Sequence, residues 1–390
     1  MSDTPMSDYV VDAGSVHDLR PLAWILDQVH DAVDEACKAV KLFAHEHRNE
    51  RTVDAKSTDV QGLRAASHEL HRVVGALEMI EEMIAARMAR AMEDMVRSLV
   101  ERPAACTQVA AETLEAAAFA LVDYLRDRKG ASPRSALGLF PQYARIQELT
   151  GATRVHPADL WPMRWQVRSI DLPPLEVGAD RVDALRQHMN RKMLEVLREG
   201  SRSAAGELRT LFLAEAVAAV DPAARAFYTL CAAVFEGLEQ AALALDVYVK
   251  RVISRVLLQC RQLADGSTLV DEHLLLDLLF FCEQAQGTDP AATPLLTRVG
   301  QAWELAQAPV PSYKEPVFGL YDPQVLLQCR RRVRAAKESW SALVEGNVQY
   351  LPTSTNHLRG VAESVNRLGA VMGPLAEALA RDEEKIVGEL

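Results

Sequence analysis

His71 and Gly75 stand one helical turn apart in Leu70-His71-Arg72-Val73-Val74-Gly75-Ala76-Leu77, and that spacing stacks them on one face of a helix. A neutral, accessible imidazole attacks a phosphoryl group through one ring nitrogen while a hydrogen bond holds the other. A glycine beside it lets a partner protein come close. The transferred group carries about −1.5 to −2 charge and calls for a nearby cation. Three residues after the histidine comes Val74, and the following turns carry Glu78, Glu81 and Glu82. Arg72 lies about 100° round the helix. His71 is thus a candidate phosphoacceptor that has access but lacks a cation, with Gly75 as the point of partner approach. Arg72 and Glu78 flank it as a candidate docking face.

The remaining polar clusters promise less chemistry. His68 and His71 are spaced i, i+3, but no third ligand has matching spacing, so no metal site is expected. His45-Glu46-His47 reads as the polar end of a helix. His357-Leu358-Arg359-Gly360 echoes the first motif, but its histidine-to-glycine step is three rather than four. Arg330-Arg331-Arg332-Val333-Arg334, with Lys337, is the most basic stretch. It is either a solvated helix face pairing with Glu338 and nearby acids, or a docking patch for an acidic partner surface. Phosphate-binding glycine loops, nucleophile elbows, zinc-protease motifs and paired catalytic carboxylates are absent. No cofactor and no small-molecule substrate are implied.

Bulk properties narrow the class. The 390 residues carry 43 Lys and Arg against 54 Asp and Glu, a formal charge of −11, which repels nucleic acid. The richest apolar run, Leu274–Phe281, is interrupted by Asp277 and is far short of a membrane span. With no secretory signal at the N-terminus, the expected location is the cytoplasm. Six singly scattered cysteines read as reduced, buried thiols. The five tryptophans are expected in core or interdomain packing.

The elements that position these residues all carry helical periodicity. A first helix runs from Asp18 past Phe43 to a charged end at His45–Asn49. A second, Asp59 to Glu101, is long enough to bend or break midway, and on it His71 and Gly75 lie more than about 120° from the apolar stripe. A third spans Thr107–Lys129, with Thr107 as its cap, and a fourth Ser132–Leu149, interrupted at Phe140-Pro141. Residues 171–179, with two prolines and a glycine, form a linker. Beyond it come Asp180–Val220, as one helix or two, then Asp221-Pro222 to Ala264, Thr268–Gln286, Thr293–Ala308, Asp322–Val344 and Ser354–Leu390. No strand or hairpin signal is found. The fold class is all-α, an antiparallel four-helix bundle followed by a second helical bundle.

Leu70–Ile80 resembles a degenerate histidine-phosphotransfer (Hpt) motif, usually His-x-x-Lys-Gly-Ser/Ala, with Val74 in the lysine position. The wider chain resembles the N-terminal region of CheA-like histidine kinases of the ChpA/PilL type, which govern type IV pili and twitching motility. That likeness is carried by Ser132–Thr150, Val155–Pro162, Leu245–Gln259 and Asp277–Glu283. The first helical regions are also similar to FimL, a relative regarded as unable to carry phosphate. The resemblance implies a degenerate Hpt-like bundle over 17–170, after a disordered 1–16, and a second bundle over 180–390 that is itself a candidate Hpt-like unit. It also implies docking to response regulators or other chemosensory proteins in a two-component phosphorelay. The kinase's ATP-binding boxes, CheW-like domain and receiver are not in this sequence, so the chain is expected to be an isolated N-terminal portion or a short relative that cannot autophosphorylate. A non-catalytic scaffold is the leading expectation; an active phosphotransfer module and a structural helical spacer are the alternatives.

Overall fold

A computed structural model of the protein describes residues 20–50, 60–130, 132–172, 178–286, 291–305, 311–321 and 323–367, with Leu375, Glu377, Ala378 and Arg381. The expected disordered 1–16, most of the linker and most of 368–390 lie outside the described residues. The described elements are helical, with no strand among them.

The first four helices are α1 (Arg20–Glu50), α2 (Gln61–Met79), α3 (Met83–Glu101) and α4 (Gln108–Arg128). They form an antiparallel bundle in which α1 packs on α2 and α4, and α3 on α2 and α4. The stretch expected as one helix from Asp59 to Glu101 is therefore a hairpin. Glu81, in the left-handed region at φ 61°, turns the chain back, and the Glu82 N–H closes the turn on the Leu77 carbonyl at 3.0 Å. Folding back buries Leu63, Leu70, Val73 and Leu77 against Met88, Met92 and Val96; a straight helix of that length would have left much of both stripes in water. Thr107 caps α4, its side chain accepting from the Ala110 N–H at 3.3 Å.

The expected fourth bundle helix starts later than its sequence suggested. A 3₁₀ turn at Ala136–Leu139 leads into α5 (Phe140–Thr150). Pro141 sits in the first turn of α5, where its missing N–H has no helical acceptor to lose. After it come α6 (Ala179–Glu199), α7 (Arg202–Ala218), α8 (Pro222–Glu239), α9 (Val247–Ala264), α10 (Glu272–Gln284), α11 (Pro294–Ala302), α12 (Pro323–Val344) and α13 (Leu351–Arg367). Gly200, at φ 64°, ends α6 as a left-handed cap. The helix expected to continue from Asp221 to Ala264 is two, because Ala241 adopts φ 57° and Asp246 caps a new start by accepting from Tyr248 and Val249.

By its contacts the chain divides into two units: Met1–Arg134, Pro141–Ala152 and Pro316–Leu390 in one, Ser135–Phe140 and Thr153–Glu315 in the other. This partition differs from the 17–170 and 180–390 expected, because 153–170 joins the later helices and 316–367 joins the first bundle. In the first unit the Phe318 ring meets Tyr124 edge-on at 5.4 Å and lies under the Arg134 guanidinium at 4.4 Å. The Phe318 carbonyl accepts from Gln142 at 2.9 Å. The second unit is built on α7 and α8, with α10 and α11 against α8.

Among the described residues no helix is long and apolar enough to cross a membrane. All six cysteines are free and buried; burial, aided by the nearby Glu115 carboxylate, pushes the Cys37 thiol up to about 12. The tryptophans divide. Trp161 and Trp303 are buried, with Trp303 stacked on Trp165 at 5.7 Å. Trp24 and Trp340 are 79% and 41% exposed, unlike the core or interdomain packing expected; Trp24 falls opposite the buried Leu22, Leu26 and Val29 stripe of α1.

Candidate functional site

The α2–α3 hairpin holds His71 on its outer side with the side chain 71% exposed. Its Nδ1 lies 3.1 Å from Oε1 of Glu93, a carboxylate only 3% exposed and reached from α3. Arg97 bonds the same Glu93 oxygen and also holds Asp94 at 2.8 Å. Nε2 has no partner among the described residues. A β-carbon added at Gly75 would meet nothing within 4 Å, so the surface beside the histidine is open to an approaching protein.

Val74 is 2% exposed and belongs to the bundle interior. A lysine there would need a route out of an apolar core, so the position is filled for packing. The other charges near His71 are already paired: Arg72 with Glu69 at 2.8 Å and Glu78 with Arg90. Arg128 of α4 reaches Glu82 at the hairpin turn at 3.2 Å. What lies against His71 is a carboxylate shared with a guanidinium, and that guanidinium is committed to two acids. Among the described residues no group of three or more His, Cys, Asp or Glu is placed to hold a metal ion.

His357 is tied into the α12–α13 pair, its Nδ1 3.1 Å from the Ser339 hydroxyl, while the Gly360 carbonyl accepts from Arg332 at 2.8 Å. The basic stretch of α12 does not pair with Glu338: among the described residues Arg330, Arg331, Arg334 and Lys337 make no ion pair.

The largest polar assembly was not anticipated, and it lies in the second unit. Asp277, fully buried on α10, accepts from Arg154 at 2.6 Å and Arg255 at 2.5 Å, with His156 Nδ1 at 3.0 Å. Arg154 also pairs with Asp159, and Arg255 with Asp271 at 2.7 Å. Burial, outweighing the neighbouring carboxylate, holds His156 below its ordinary value. Burial alone would raise Asp277, but the hydrogen bond from His156 and the two guanidinium ions together hold it below the usual carboxylate range. His156 Nε2 is buried without a partner in a cage of Phe280, Phe281 and Tyr248 rings. His156 Nδ1 lies between the Asp277 carboxylate at 3.0 Å and the Ala158 N–H at 3.1 Å. The network is an internal brace in which every charge meets an opposite one, with Arg154 Nε and His156 Nε2 as its buried atoms without a hydrogen-bond partner. The sequence signal for it was Asp277 itself, since a carboxylate inside Leu274–Phe281 must find partners.

Three of the stretches that carried the family resemblance, Val155–Pro162, Leu245–Gln259 and Asp277–Glu283, supply His156, Asp159, Arg255 and Asp277 to this brace. Residues 175–315 match the family model of the FimL scaffold protein second domain, a match that falls within the second unit. No curated protein and no solved structure matches the chain.

Proposed function

We propose that the chain is a non-catalytic helical scaffold in a cytoplasmic chemosensory two-component pathway controlling type IV pili and twitching motility. It acts by docking pathway proteins, response regulators among them, on the α2–α3 face around His71, Arg72, Gly75 and Glu78. The match of residues 175–315 to a FimL scaffold domain carries this proposal. The surroundings of His71 support it from the chemical side: Arg72, Arg90 and Arg97 are each already paired with a carboxylate, so a phosphoryl dianion on Nε2 would find these counter-charges taken. The likeness of Ser132–Thr150, Val155–Pro162, Leu245–Gln259 and Asp277–Glu283 to the N-terminal region of ChpA/PilL kinases supports the assignment to that pathway. The test is incubation of the full chain with a phosphorylated response regulator of the pathway. Binding without acid-labile label on the chain is the expected result.

One observation favours a second reading, in which His71 is a working phosphoacceptor. Glu93 on Nδ1 fixes the ring and directs the reactive lone pair to the unpartnered Nε2, which is the arrangement an attacking imidazole needs. In that case label appears on the chain, is lost in His71→Gln, and falls sharply in Glu93→Gln.

A further inference from the structure

The outer face of α12 carries a charge pattern that its own helix does not satisfy. Arg331, Arg334, Glu338, Ser341 and Glu345 recur at three- and four-residue steps and are all exposed, so they form one stripe along the helix. The opposite face is anchored: Cys329 and Ala336 pack with Val361 and Val365 of α13. Arg332 is spent on the Gly360 carbonyl and the Ser364 hydroxyl, each at 2.8 Å. The four stripe charges, by contrast, have no ion pair or side-chain hydrogen bond among the described residues.

Their order explains why. The stripe is basic in its N-terminal half and acidic in its C-terminal half. The helix macrodipole favours the opposite order, and Arg334 to Glu338 is the weaker direction for an i, i+4 pair. A partner is needed to reverse these local preferences, and the pattern specifies which. A uniformly acidic protein surface or an anionic lipid surface would meet Arg331 and Arg334 but be repelled by Glu338 and Glu345. A parallel copy would set like on like. An antiparallel copy sets the basic half of each stripe on the acidic half of the other, reciprocally, as a two-fold axis requires. It also opposes the two helix dipoles.

We propose that a second copy of this chain docks on α12. The two α12 helices lie antiparallel about a two-fold axis, with Arg334 of each facing Glu338 of the other and Arg331 facing Ser341, one turn from Glu345. Leu327, 45% exposed, continues the stripe one turn before Arg331 and gains cover in the pair. A single helix pair is about 33 Å long, so the association is weak and concentration-dependent. It is independent of the scaffold function proposed above.

Sedimentation velocity of the full chain over a range of concentrations tests this. The wild type is expected to show a monomer–dimer equilibrium. R331E/R334E and E338R/E345R, each of which sets like charges face to face, weaken it by roughly tenfold or more, with far-UV circular dichroism unchanged because all four residues are exposed. Mixed in equal amounts, the two variants associate with each other, and the fourfold swap R331E/R334E/E338R/E345R recovers self-association. A wild type that stays monomeric, or a dimer indifferent to both pair variants, overturns the proposal. So does an E338R/E345R chain that self-associates as well as the wild type, or a wild type that binds phosphatidylserine vesicles through Arg331 and Arg334, since either would make the stripe a reader of anions.

Discussion

Asp277 and His71 are polar residues on apolar helices, and their partners give them opposite roles. Asp277 is fully buried and gathers two arginines and a histidine from two other segments, Arg154 and His156 from one and Arg255 from α9. Removing one member of such a group strands the others in low dielectric. Asp277→Ala should therefore destabilise the second unit by about 3–5 kcal/mol, read as a fall in the thermal midpoint. The same residues set a pH response. His156 is held neutral in the fold, so below its ordinary 6.5 the unfolded chain takes up a proton that the folded chain refuses, and stability falls as pH drops through that region. Asp277, held below its ordinary 3.8, adds a second loss as pH falls below that value. Urea titrations across this range should show both steps, and His156→Gln should remove the first. At His71 the partner is a single carboxylate across the hairpin, and the ring stays largely in solvent. The histidine and glycine were legible in the sequence because they lie four apart on one helix. Glu93 was not, because it lies 22 residues on and approaches only once the chain has turned back.

The turns that make the bundle were the hardest elements to read, for a specific reason. Glu81 and Ala241 end their helices in left-handed conformations without glycine or proline to mark them. Tertiary packing, not local preference, pays the strain there, so the two long periodic stretches read as continuous. Gly200, which did mark a break, was legible as one. Two substitutions test the packing. Gly319 sits at φ 67°, and a β-carbon there would come 2.5 Å from the Ala120 backbone nitrogen of α4. Gly319→Ala should cost about 3 kcal/mol or more from combined strain and overpacking, seen as a lowered denaturation midpoint. Gly75 lies inside α2 with open space around it. Gly75→Ala should stabilise the helix by about 0.5–1 kcal/mol yet weaken regulator binding, because the new methyl stands on the proposed docking face. A calorimetric titration showing undiminished affinity would move the docking surface elsewhere.

For the molecule as a whole, the all-α class followed from periodicity alone, while the grouping of helices did not. Segments 153–170 and 316–321 carry little periodic signal, and what assigns them to their units is long-range contact: the Gln142 bond to the Phe318 carbonyl in one, Arg154 on Asp277 in the other. The stretches that carried the family resemblance lie largely in the brace around Asp277, so the likeness marks a shared core more than a shared reaction. That fits the proposal that the framework is kept for docking. The most direct test of this central claim is to incubate the full chain with the pathway's phosphorylated response regulators and score both binding and acid-labile phosphate. The scaffold account predicts a complex that forms with no label on the chain, in wild type and His71→Gln alike. Stoichiometric label on the wild type that disappears in His71→Gln would contradict it.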